Sequence, residues 1–143
     1  MKMKEESQKG KDMIASRELF DTSEKVHPIQ EEEFIKIERI KGRLLLIGAE
    51  DDVLWDTAKY IRRMEERLAK REHNCEVESY IYEHATHFVF PEGLVKAILP
   101  VVGDLMPRVF AAGRNYPKEC KAARVDIERH VTDAIRSWGR ANG

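Results

Sequence analysis

Residues 44–47, Leu-Leu-Leu-Ile, form an unbroken apolar run between Gly42 and Gly48. No other stretch constrains the fold as tightly. A short run that does not alternate reads as a strand buried on both faces. A helix is predicted next, because Trp55, Ala58, Ile61, Met64 and Leu68 recur every three or four residues. Lys59, Arg62, Arg63, Glu65 and Glu66 fall on the opposite, wet face. A second strand is predicted from Cys75 to Tyr82, where Val77, Ser79 and Ile81 alternate with Glu76, Glu78, Tyr80 and Tyr82. Strand, helix and strand in that order make a right-handed βαβ unit with parallel strands. The predicted class is α/β.

The remaining elements are arranged around that unit. Residues 1–27 read as a polar lead-in, flexible or helical only with help from a partner, and residues 28–140 as the α/β part. Pro28 followed by Glu31, Glu32 and Glu33 suits a short helix start. After the second strand comes a loop from His84 to Pro91. The stretch from Gly93 to Phe110 is broken by Pro100, Gly103 and Pro107, which predicts loops and short helical turns. Pro117 suits the first position of a long final helix. Its apolar stripe runs through Ala123, Ile127, Val131, Ala134, Ile135 and Trp138 and closes near Gly139, with Asp126, Glu128, Arg129, Asp133 and Arg136 expected in solvent. Two parallel strands leave both sheet edges open, so the sheet is expected to be completed by a partner chain or by self-association.

Composition excludes several classes of function. A chain of 143 residues suits one domain, and its net charge of -1 gives no field toward nucleic acid or a membrane. The first 25 residues hold no apolar run, which argues against a secretory signal or a membrane anchor, and their acids argue against a mitochondrial presequence. Cys75 and Cys120 fall in no CxxC pattern, so a cytoplasmic chain with free thiols is expected. No glycine-rich phosphate loop occurs, and no cofactor is predicted. Glu83, His84 and His87 lack a further ligand at recognisable spacing, so no metal site is predicted either. His73 and His130 are expected at exposed positions, and Trp55 and Trp138 at the edge of the core.

Two short segments carry residues suited to catalysis, and each lies just past the C-terminal end of a predicted strand, where open parallel sheets bind ligands. The first is the acidic turn Glu50-Asp51-Asp52 leading to Trp55. One of these acids would serve equally as a plain cap on the following helix. The second is His87 in the loop Glu83-His84-Ala85-Thr86-His87-Phe88. A histidine there suits general-base chemistry, though most loop histidines are only surface residues. If the strands are neighbours, the two segments meet. A carboxylate beside a histidine is the acid–base half of a Ser/Cys-His-Asp triad.

The segment Ile37-Glu38-Arg39-Ile40-Lys41-Gly42-Arg43-Leu44-Leu45-Leu46-Ile47, running into Glu50-Asp51-Asp52-Val53-Leu54-Trp55, resembles the acyl-CoA thioester hydrolase/bile acid-CoA:amino acid N-acyltransferase family. In that family an "I-x-V-E-x-I-x-G-P-hydrophobic" stretch precedes a "G-x-D-D-x-x-W" turn carrying the triad aspartate. The spacing from Asp52 to His87 is close to the family's acid-to-histidine spacing. Gly113, the segment Ala122-Ala123-Arg124-Val125-Asp126 and Trp138 are similar to its terminal helix, so the resemblance spans roughly residues 30–140. It implies the C-terminal part of an α/β-hydrolase fold, an acyl-CoA thioester as substrate, a place in fatty acid metabolism, and catalytic roles for Asp52 and His87. Counting from Gly48 in the generic Gly-x-x-Asp pattern selects Asp51 instead. Aligning on the paired acids and Trp55 selects Asp52, which is preferred, with Ala49 in place of the usual glycine.

Three departures from the pattern stand out. Thr86 precedes His87 where the family has glycine, and Arg43 replaces a proline. The third concerns the nucleophile, which α/β-hydrolases carry on a G-x-S-x-G elbow or its cysteine version. No serine or cysteine has that frame: Ser7, Ser16 and Ser23 lie in the lead-in, Cys75 enters a strand, and Cys120 lies in the final helix. The 143 residues also hold no counterpart of the family's immunoglobulin-like domain or its oxyanion loop. The expectation is an acid–histidine half-site that is inactive alone. An interaction module or a truncated remnant is the alternative.

Overall fold

A computed structural model describes residues 11–101, 103 and 105–141. Gly42 opens the first strand, β1 (Gly42–Ala49), at φ +115°, a conformation open to glycine because it lacks a Cβ. The second strand, β2 (Cys75–Tyr82), pairs with it in parallel, from Gly42 opposite Cys75 to Ala49 opposite Tyr82. Among the described residues the sheet has these two strands. The helices are α1 (Arg17–Val26), α2 (Thr57–Ala69), α3 (Glu92–Ile98), α4 (Ala111–Asn115) and α5 (Pro117–Ala141). Short 3-10 turns occupy Glu31–Glu33, Ile37–Arg39 and Met106–Val109. This is a small, open α/β sheet consistent with the C-terminal part of an α/β-hydrolase domain.

Helices cover both faces of the sheet, as the apolar run in β1 requires. Alternate strand residues point to opposite faces. Leu44 and Val77 pack with Met64 and the buried Leu68 of α2, together with Ile37 and Cys75. Ala49 and Tyr82, of opposite parity, meet Ala123 of α5 with Ala85 and Val89. Arg43, on that second face, donates to Ser137 Oγ at 2.6 Å. The helix predicted to run from Trp55 begins at Thr57, because Asp56 caps it by accepting the Lys59 amide at 3.0 Å. The capping acid is therefore Asp56, not one of the three acids in the turn.

Residues 17–26 of the polar lead-in form α1, and specific contacts tie this helix to the rest of the chain. The Ser16 and Arg17 amides both donate to Val53 O at 2.9 Å. Lys59 of α2 pairs with Asp21 at 2.9 Å and with Glu24 at 2.7 Å. The α1 side chains Leu19 and Val26 are exposed. Cys75 and Cys120 are both buried and unpaired with each other.

The final helix departs from its predicted stripe at two positions. Cys120, Ala123, Ile127 and Ala134 are buried, but so is Arg124, while Ile135 is exposed. Arg124 Nε donates to Glu92 Oε2 at 2.7 Å across the α3–α5 contact. Burial alone would raise the Glu92 carboxyl, yet Arg124 together with Lys96 outweighs it and holds the group below its ordinary value of 4.5. A carboxyl depressed in the folded state stabilises above its unfolded value and loses that contribution as the pH falls. Glu92→Gln should therefore flatten the acid limb of the thermal-stability profile below pH 4.5. Melting temperatures of the two proteins across that window check it.

Candidate active site

The last paired residues, Ala49 and Tyr82, place two loops side by side. The Glu50 amide continues the ladder to Tyr82 O at 2.8 Å. Residues 50–56 then leave β1 as the acidic turn, and residues 83–91 leave β2 as the histidine loop. The geometry thus brings together the two segments expected to meet.

The three acids of the turn have three different surroundings. Glu50 is exposed and pairs with Arg62, whose hydrogen bonds hold its carboxyl below the ordinary value. Asp52 is fully buried. Its Oδ1 accepts the Leu54 amide at 3.0 Å and the Trp55 amide at 3.4 Å, closing the turn on itself. Its Oδ2 lies 3.2 Å from Thr57 Oγ1 and 3.0 Å from His87 Nδ1. A buried carboxylate needs such partners, and four groups converge on this one.

Asp51 faces the histidine loop from the other side. Its Oδ1 accepts the Ala85 amide at 3.2 Å and the Thr86 amide at 2.8 Å. Its Oδ2 lies 3.2 Å from His84 Nδ1. The His84 ring stacks on Tyr116, with centroids 3.6 Å apart and planes within 4°. The two candidate acids thus take different histidines, Asp52 with His87 and Asp51 with His84. Among the described residues no group of three or more His, Cys, Asp or Glu side chains is placed to hold a metal ion.

His87 is fixed on two further sides. Trp55 meets the imidazole edge to face with ring centroids 4.7 Å apart, and Phe20 of α1 packs on Trp55 at 5.9 Å. Thr86, the residue before His87, is fully buried and adopts φ +60°. That left-handed conformation is strained for a β-branched side chain. Its hydroxyl accepts the Phe88 amide at 3.2 Å.

The hydroxyls of Ser16, Ser79 and Ser137 are engaged elsewhere, and Ser23 is exposed on α1. Ser16 Oγ donates to Leu54 O at 2.7 Å, Ser79 Oγ to Glu65, and Ser137 Oγ to Ala134 O at 3.0 Å. Burial, reinforced by the charge of Asp51, pushes the Cys120 thiol up to about 11. A thiol so shifted is a poor source of thiolate. Cys75 sits at the opposite end of the sheet, beside His73. Ser7 lies outside the described residues.

The family model described as BAAT / acyl-CoA thioester hydrolase C terminal matches residues 1–92, more than half of the chain. The chain belongs to this family. The matched residues hold α1, both strands, the acidic turn and the histidine loop, whereas α5 lies beyond them. The likeness therefore starts upstream of residue 30, where the acidic turn's supports are found. It identifies a domain related to acyl-CoA thioester hydrolysis and acyl transfer. No curated protein and no solved structure matches the chain significantly. Among the described residues no helix is long and apolar enough to cross a membrane.

Several supports of this site carry no signal in the sequence. Arg17 donates to Glu50 O at 3.0 Å and Asp52 O at 3.3 Å, and also pairs with Asp56. It therefore braces the acidic turn from more than thirty residues upstream. Tyr116 and Phe20 likewise arrive through tertiary packing. Thr57 alone had a local cue, its place immediately after the acidic Asp56.

Proposed function

We propose that Asp52 and His87 are the acid and the base of an acyl-CoA thioester hydrolase or acyltransferase site whose nucleophile these 143 residues do not supply. One observation carries the reading. A fully buried carboxylate stands 3.0 Å from a histidine Nδ1 at the C-terminal ends of two neighbouring parallel strands. With Nδ1–H donating to Asp52, Nε2 keeps the lone pair and is the basic nitrogen.

In the completed site Nε2 takes the proton of a serine or cysteine as that nucleophile attacks the thioester carbonyl. Asp52 stabilises the imidazolium that results. Collapse of the tetrahedral intermediate breaks the carbon–sulfur bond, and the imidazolium returns its proton to the departing CoA thiolate. Water, or an amine in the transferase case, then attacks the acyl-enzyme with His87 again as base, and the bond to the serine or cysteine breaks as that group takes its proton back from the imidazolium. That the sheet has only two strands among the described residues supports a partner chain that supplies further strands together with the nucleophile.

The purified chain is expected to release no CoA from short, medium or long acyl-CoA thioesters above the buffer rate. A serine-directed fluorophosphonate probe should leave it unlabelled. Thiol release by the chain alone, accompanied by covalent labelling, would contradict the proposal.

A further inference from the structure

The preceding reading leaves unexplained why His87 sits where it does, since its loop runs through an unfavourable backbone conformation. Thr86 is β-branched, fully buried and at φ +60°. Such a residue holds that conformation only when its surroundings enforce it. The Asp51 carboxylate is placed to do so. One of its oxygens receives the amides of both Ala85 and Thr86, at 3.2 and 2.8 Å. Two consecutive N–H groups converging on one oxygen fix the peptide plane by which the chain enters Thr86, and the φ of +60° there turns it on to His87. His87 is the next residue, and its Nδ1 meets Asp52 at 3.0 Å.

We infer that Asp51 is a positioning residue for His87, capturing the Ala85 and Thr86 amides so that the strained Thr86 delivers the imidazole to Asp52. The inference rests on the Asp52–His87 reading. It assigns the paired acids of the turn separate duties, one on the histidine's backbone and one on its ring. Where glycine precedes the histidine, the left-handed conformation carries no Cβ strain. With threonine there, the backbone needs an external hold. The His84 contact of Asp51 is a separate matter, since His84 is held by its stack on Tyr116.

The test reads the His87 tautomer by imidazole nitrogen NMR on the full chain, at a pH where the ring is neutral. The His87 signals are assigned by their loss in His87→Asn. Wild type should show the Nδ1–H form. Asp51→Ala should turn this single form into a mixture of tautomers while the circular dichroism stays native. Asp51→Asn should restore the single form, because its carbonyl oxygen still accepts both amides. The double variant Asp51→Ala with Thr86→Gly should restore it in part, because glycine reaches φ +60° without strain. His84→Ala should leave it untouched. If Asp51→Ala fails to fold, Asp51→Ser decides, since its hydroxyl is too short to reach the two amides. A folded Asp51→Ala or Asp51→Ser protein that keeps the pure Nδ1–H form overturns the inference. So does an Asp51→Asn protein that behaves like the alanine variant. If instead Asp52→Asn leaves the tautomer unchanged, the underlying acid–histidine reading has failed and Asp51 is not at issue.

Discussion

Asp52→Ala is expected to lower the unfolding free energy by about 3 kcal/mol, a large loss for a single carboxylate. The side chain is fully buried and serves the Leu54 and Trp55 amides, the Thr57 hydroxyl and the His87 ring. Truncation strands those donors in a site too tight for each to recover a partner. Hydrogen bonds to a charged group contribute about 1.5–3 kcal/mol each, but water reaches the partly exposed His87 and reduces that loss. Asp52→Asn keeps the Oδ1 acceptor for the two amides and should cost about half as much. Urea unfolding of the three proteins, with unchanged m-values, checks the order. A loss below about 0.5 kcal/mol for the alanine variant would mean that the carboxylate does not organise the turn.

Gly113→Ala is expected to be at least as damaging, by about 3 kcal/mol or more, for a steric reason. A Cβ at Gly113 would stand 2.0 Å from the Pro107 carbonyl oxygen and 2.5 Å from its carbon. Both are backbone atoms of the Met106–Val109 turn, so no rotamer change relieves the overlap and α4 must lift away. That turn carries the buried Pro107 and leads into Phe110, one of the largest fully buried side chains. Gly139 provides the contrast. It lies inside α5 with open space around its missing Cβ, so Gly139→Ala should stabilise the helix by about 0.8 kcal/mol. Thermal unfolding of the two alanine variants should move in opposite directions.

The legible part of the fold was the part written in local periodicity. The apolar run at Leu44–Ile47 implied a strand covered on both faces, and α2 and α5 cover it. The alternation from Cys75 to Tyr82 gave the bounds of β2. What stayed hidden depends on contacts between distant residues. Arg124 lies on the same helix face as Ile127 and Val131, and the carboxylate that lets a charge be buried there, Glu92, arrives on a separate helix. The lead-in looked polar because α1 touches the body mainly through Arg17, Asp21 and Glu24 rather than through an apolar stripe.

The candidate site divides the same way. The positions of the acidic turn and His87, just past adjoining strand ends, follow from the βαβ order alone. The choice between Asp51 and Asp52 rested on the register of Trp55. In the structure each acid has its own histidine and its own backbone amides. Spacing cannot distinguish a carboxylate that holds a ring from one that holds the loop beneath it, because both lie in one turn. Thr86 marks the place, since a β-branched residue at positive φ breaks the local rule where the histidine is aimed.

The most direct measurement is the tautomeric state of His87 in the wild-type chain, read from its imidazole nitrogen shifts with the ring neutral. An acid–base pair poised for catalysis requires the proton on Nδ1, donated to Asp52, and the lone pair on Nε2. The geometry predicts the Nδ1–H form, with a slowly exchanging proton that disappears in Asp52→Asn. A ring found mainly as Nε2–H, or one indifferent to Asp52, would contradict the assignment of this pair as an acyl-transfer half-site.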